Sequence, residues 1–182
     1  MKLFFDARYI RTDYHDGVSR YSYEVAHALA KLSTVTFIIS DDAQIALLPQ
    51  GAEVVKIHKP DSILEPFTSL KLNKFKPDVV FSPMQTMGSL GRHFKLILTL
   101  HDMIYYKHRL PPPQAKGFVR PLWRMFHLWY WPQRFVLNRA DIVATVSQTS
   151  RDEITAAKLT KRPLIVVSNA AEDLSPLLLN SV

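Results

Sequence analysis

Lys95-Leu96-Ile97-Leu98-Thr99-Leu100-His101-Asp102 is an almost unbroken apolar run that ends on two polar, titratable side chains. A strand with one wet face would alternate apolar and polar residues. One this uniformly apolar has to be covered on both faces, which is the condition of a parallel sheet between helices. Outward from it, similar short runs recur at Leu3-Phe4-Phe5, Thr34 to Ile39, Glu53 to Ile57, Asp78 to Phe81, Ile142 to Val146 and Leu164 to Val167. Helical spacing lies between them: Val18, Tyr21, Val25, Ala28, Leu29 and Leu32 share one face. Asp41 is placed to cap a short helix through Leu48, and a weaker helix runs from Ile63 to Phe75, stopping before Pro77. A further helix contains Arg151, Glu153 and Ile154, with Ser147 or Thr149 as its cap. Strand and helix alternate from end to end, so the expected fold is α/β, a Rossmann-like three-layer domain with a mostly parallel sheet of about seven strands.

The 182 residues suffice for one domain with a substantial core and are too few for two ordinary ones. We expect the domain over residues 1–174, with 175–182 as a tail or the start of an interdomain linker. No run approaches the roughly 18 apolar residues of a membrane-spanning helix. The short apolar start is cut off at Asp6, which does not suit a signal peptide. With no cysteine, disulfides, thiolate metal sites and a cysteine nucleophile are excluded, and a cytoplasmic location is expected. The formal net charge of +7 has a definite origin. Between Asp102 and Asp141 there is no acidic residue, while Lys107, Arg109, Lys116, Arg120, Arg124, Arg134 and Arg139 fall there. Without those seven, the remaining 16 basic residues balance the 16 acidic ones. A local basic segment argues for a specific anionic ligand or surface rather than general affinity for nucleic acid.

In a doubly wound sheet, ligands bind at the carboxyl ends of the strands near the point where strand order reverses. Three loops belong there. The first runs from Asp6 to Gly17, long for a strand-to-helix turn. Gly17 lets backbone approach a ligand closely and the following helix start favours negative charge, although a turn requiring positive φ is the plainer account of a single glycine before a helix. Neither GxGxxG nor GxxxxGKS is present. The second loop begins with His101-Asp102. An imidazole there can donate to a sugar hydroxyl or phosphate and move a proton near neutral pH, or it can simply close the strand by bonding a loop carbonyl. The third is Thr145-Val146-Ser147-Gln148-Thr149-Ser150-Arg151-Asp152-Glu153, where hydroxyls can cap a helix and Glu153 can close a capping box with Ser150. No G-x-S-x-G frames a serine nucleophile, the histidines show no zinc spacing, and no Asp-x-Asp is present.

Together these pieces resemble the GT-B retaining glycosyltransferases of family 4 (group 1 glycosyl transferases), and specifically their N-terminal, acceptor-side domain. The matching runs are Gly17-Val18-Ser19-Arg20-Tyr21, His101-Asp102, Ala140-Asp141-Ile142-Val143, Thr145-Val146-Ser147, Ser150-Arg151-Asp152-Glu153-Ile154 and Val166-Val167-Ser168-Asn169. The resemblance implies two Rossmann-like domains facing a cleft, one holding a sugar or lipid-linked acceptor and the other a nucleotide-sugar donor, UDP- or GDP-hexose. It implies a glycine loop at Gly17 and Val18 that approaches the donor phosphates, and a histidine, His101, that contacts the transferred sugar and assists the reaction. Arg20, Asp102, Ser147, Ser150 and Arg151 then line the cleft. No metal and no other cofactor is implied, and hexose transfer proceeds with retention. Asp16 stands where the family commonly has another glycine, and the family's Pro-Asn-Gly-Val-Asp run appears as Val167-Ser168-Asn169-Ala170-Ala171. The Arg/Lys pair and paired glutamates of the donor side would lie on a C-terminal domain beyond these residues. The chain alone is therefore expected to be inactive.

Residues 116 to 137 form a separate pattern. On a helical wheel Lys116, Arg120, Arg124, His127 and Arg134 fall within an arc of roughly 80°, opposite Phe118, Leu122, Met125, Phe126, Trp129 and Val136. Trp131 sits beside the basic stripe and Trp123 on its flank, and Pro132 should kink or split the helix. Arg120, Trp123, Arg124 and Trp131 are the candidate contacts to an anionic membrane, so a non-catalytic membrane- or partner-binding module is the alternative function, peripheral at the inner face. A core-facing helix with a solvated basic face, or one bordering a second domain, is the plainer reading. Nucleic acid has no recognised motif here.

Overall fold

The computed structural model describes residues 1–107, 117 and 119–169. Seven strands, all parallel, form one sheet: β1 (Leu3–Asp6), β2 (Val35–Ile39), β3 (Glu53–Lys56), β4 (Val79–Ser82), β5 (Lys95–Thr99), β6 (Ile142–Thr145) and β7 (Leu164–Val166). Their order is β3-β2-β1-β4-β5-β6-β7, so the winding reverses between β1 and β4. This is the doubly wound, Rossmann-like arrangement that the apolar strands demanded.

Register explains why both faces are apolar. In β1, Phe4 points to one side and Phe5 to the other. Phe5 lies level with Phe37 of β2 and Phe81 of β4, and the three rings meet edge to face at 6.3 and 5.5 Å. Helix α1 (Gly17–Leu32) covers that row with Tyr21, Val25 and Ala26. On the other face Phe4, Val80, Leu96, Leu98 and Val143 are covered from α2 (Thr68–Leu72), α5 (Trp131–Leu137) and α6 (Gln148–Ala156), whose Leu72, Leu137 and Ile154 are fully buried.

Two expected helices differ in detail. The stretch from Ile63 to Phe75 is broken into a 3-10 turn at Glu65–Phe67, α2, and a second 3-10 turn at Asn73–Phe75. Pro66 brings no N–H to the first turn, and Lys76 takes a left-handed φ of 52° that ends the run before Pro77. The basic aromatic stretch is two helices, α4 (Val119–Leu128) and α5, divided just ahead of Pro132. A short α3 (Ile104–Lys107) precedes them.

Candidate functional site

The three loops converge at the carboxyl ends of β1, β4, β5 and β6. The loop after β1 turns through Asp16, which caps α1 by accepting from the Ser19 N–H at 2.8 Å and pairs with Arg11 at 3.0 Å. Gly17 is the first residue of α1. Its φ is not in the left-handed region, and a Cβ added there would meet nothing within 4 Å. The turn-conformation explanation for this glycine is therefore excluded: neither backbone geometry nor packing within the described residues requires it. The N–H groups of Gly17 and Val18 belong to the first helical turn, where no intrahelical acceptor exists. Val18 is half-buried and Arg20 exposed, its N–H bonded to the Asp16 carbonyl.

His101 stands behind this helix start. Its ring packs edge-on against Tyr21 of α1, with centroids 4.9 Å apart, and its backbone carbonyl accepts from Thr145 Oγ1 of β6 at 3.3 Å. Nε2 lies 2.8 Å from the Pro83 carbonyl. A carbonyl only accepts, so Nε2 carries the hydrogen and the neutral ring presents Nδ1 as a lone pair. Burial lowers the His101 pKa below its ordinary 6.5, against the opposing pull of the Pro83 carbonyl and the Asp102 and Asp16 carboxylates. The strand-closing bond was one of the two roles open to this residue, and the structure shows it. With Nε2 so engaged, the neutral ring offers an acceptor at Nδ1. Tyr21 is equally committed to the interior, its hydroxyl facing Thr99 and pushed up to about 12 by burial.

Asp102 is exposed, and its carboxylate accepts from the Ile104 N–H at 2.9 Å, which starts α3. Ser147 is the cap of α6: its Oγ accepts from the Ser150 N–H at 3.1 Å and donates to Ser150 Oγ at 3.0 Å. The capping box between Ser150 and Glu153 is not formed, because Ser150 lies inside the helix and Glu153 pairs with Lys107. Arg151 is exposed on the first turn. Asp141, part of a matching motif, lies at the opposite end of the sheet. It accepts from the Leu96 N–H at 2.8 Å and pairs with Arg92 at 2.7 Å, which holds its pKa low despite partial burial. Its work is structural.

Beside these residues lies a group that sequence reasoning missed. Asp6, at the end of β1, holds Arg8 through Nε at 2.7 Å, and Glu65 grips the same guanidinium at 2.8 Å. The Asp6 and Arg8 side chains have no exposure at all. Burial alone would lower the arginine pKa, and the two carboxylates hold it well above its ordinary value. Ser82 of β4 donates to Asp6 and His58 bonds both Glu65 and Thr68, so one polar network ties the loops after β1, β3 and β4. It floors an open cavity of about 490 Å³ whose rim carries Arg11, Asp13, Asp16, Ser40, Asp41 and Lys59. The legible signal was Asp6 itself, a carboxylate closing an apolar strand two residues before an arginine. Among the described residues, no group of three or more His, Asp or Glu is arranged to hold a metal ion.

Arg120 and Arg124 of α4 and Trp131 of α5 are all exposed. The side chain of Trp123 lies outside the described residues. Of the opposite arc, Met125 and Trp129 are also exposed, so the apolar face of the wheel is not simply turned into the core.

In a doubly wound parallel sheet the switch point is where ligands bind, and here a polar cleft lies there. The family model for Glycosyltransferase Family 4 matches residues 15–173, and the chain belongs to that family. Among solved structures it is similar to a sucrose-phosphate synthase from Thermosynechococcus elongatus, at 11% identity and a TM-score of 0.49, over 98% of this chain and 93% of that one. No curated protein matches it significantly.

Proposed function

We propose that this chain is the acceptor-side domain, residues 1–174, of a glycosyltransferase that moves a hexose from UDP- or GDP-hexose to a sugar or lipid-linked acceptor, with retention and without a metal. One observation carries this reading: Gly17 opens α1 toward free space beside His101, with no demand on it from its own fold. A glycine that the described packing does not need fits a backbone that a diphosphate must approach, at a helix start that favours negative charge. His101 then meets the transferred hexose. Its neutral Nδ1 accepts from a sugar hydroxyl while Pro83 fixes the ring. The acceptor occupies the cavity above Arg8. Its hydroxyl oxygen bonds to the anomeric carbon on the face from which the phosphate departs, and the proton passes to that phosphate. Ser147, Ser150 and Arg151 line the β6 side of the cleft, and Asp102 fixes the loop that follows His101.

The donor is held by a second domain in this reading, so the 182 residues alone do not transfer sugar. Transfer and donor hydrolysis on a panel of UDP- and GDP-hexoses test it, with this chain alone and with a longer protein that includes the donor-binding domain. Activity in the longer protein only, reduced at least about a hundredfold by His101→Ala, is expected. Turnover by the 182-residue chain alone contradicts the division of labour.

A second reading, a non-catalytic membrane-binding module at the inner face, is favoured by exposed Trp129 and Trp131 in the same acid-free stretch as exposed Arg120 and Arg124.

A further inference from the structure

At the amino ends of β6 and β7, opposite the cleft, Arg134, Arg139, Lys161 and Arg162 surround an open depression of about 580 Å³ together with Phe135 and Asn138. Among the described residues, no carboxylate lines it. The sequence has no acidic residue between Glu153 and Glu172, so folding joins a second acid-free stretch to the one that precedes Asp141. Asp141 itself is engaged by Arg92 and Lys95.

The cations are fixed from behind. Arg134 donates to the carbonyls of Lys158 and Ala157, at 3.0 and 2.9 Å, at the C-terminal end of α6. Arg162 Nε donates to the Asn138 carbonyl at 2.9 Å, and the Lys161 N–H to Asn138 Oδ1 at 2.8 Å. The Arg139 guanidinium lies over the Phe135 ring, 5.3 Å from its centre. Phe135 is 60% exposed, and Trp131, one turn earlier on the same face of α5, is 64% exposed. Two large aromatics in water beside clustered cations mark a surface with a partner.

We infer that this face of α5 binds an anionic phospholipid surface, its cations taking headgroup phosphates and Phe135 and Trp131 entering the interface. The charge calls for phosphate, and the neighbouring aromatic pair selects a bilayer over a small soluble anion. The inference rests on the membrane reading and moves its centre from the α4 arc to α5 and the β6–β7 edge.

Flotation of the 182-residue chain with phosphatidylcholine vesicles, with and without phosphatidylglycerol, tests it. Binding is expected only with phosphatidylglycerol, falling with salt and accompanied by a blue shift of tryptophan emission. Lys161→Glu, whose side chain makes no hydrogen bond among those described, and Phe135→Ser should each weaken binding at least about fivefold with unchanged circular dichroism. Arg120→Glu with Arg124→Glu should change it less. Binding lost with the α4 pair and untouched by the α5 variants overturns the inference and leaves the membrane reading standing. No flotation of the unaltered chain overturns both. Equal binding to neutral vesicles, or full competition by inorganic phosphate, overturns the assignment of anionic lipid.

Discussion

At the scale of single residues, His101 carries the sharpest consequence. Its Nε2–H is held by Pro83 and burial lowers its pKa, so the folded protein keeps it neutral where an unfolded chain would bind a proton. A base whose folded pKa is depressed contributes stability that is complete above its unfolded value and lost as pH falls through it. Resistance to thermal unfolding should therefore weaken as pH drops below 6.5 toward the folded value, and His101→Gln should remove that part of the slope. An unchanged slope would mean the ring is not buried as described. The sequence located this residue through the apolar strand that delivers it. It could not supply the tautomer, which depends on a carbonyl 18 residues away.

The elements show where local sequence suffices and where it does not. Asp16, Asp41 and Ser147 cap the helices they precede, since an N-cap needs only a short side chain and the adjacent turn. The segment after β3 is helical but broken, because its course is set by distant partners. Glu65 turns inward to Arg8, and Gly88 packs so close that a Cβ there would fall 1.8 Å from the Glu65 carbonyl oxygen. Here a glycine is required by close backbone approach, with no positive φ involved. Gly88→Ala should destabilise the chain by roughly 2–3 kcal/mol, since backbone has to move. Ser147→Ala should cost about 1 kcal/mol, one cap hydrogen bond on an exposed helix start. Urea unfolding midpoints order the two, and a Ser147 variant worse than Gly88→Ala would contradict this packing.

Over the whole molecule, the parallel sheet was legible because covering both faces leaves its mark in the central strands, with Phe4, Val80, Leu96 and Val143 on one side and Phe5, Phe37, Phe81 and Ala144 on the other. The site was legible only at its edges. Gly17 opens a helix and His101 closes an apolar run, whereas the Asp6–Arg8–Glu65 network and the cavity above it join segments 57 residues apart. Charge behaved similarly: the basic stretch was visible, and its meeting with Lys161 and Arg162 was not. The central claim is that the strand ends form a ligand site whose glycine serves the ligand and not the fold. Gly17→Ala in the longer, two-domain protein tests it with two readouts, thermal stability and hexose transfer. Stability unchanged or raised by up to about 1 kcal/mol, with transfer reduced at least tenfold, is the predicted result. Full transfer at unchanged stability, or a loss of stability together with activity, would contradict it.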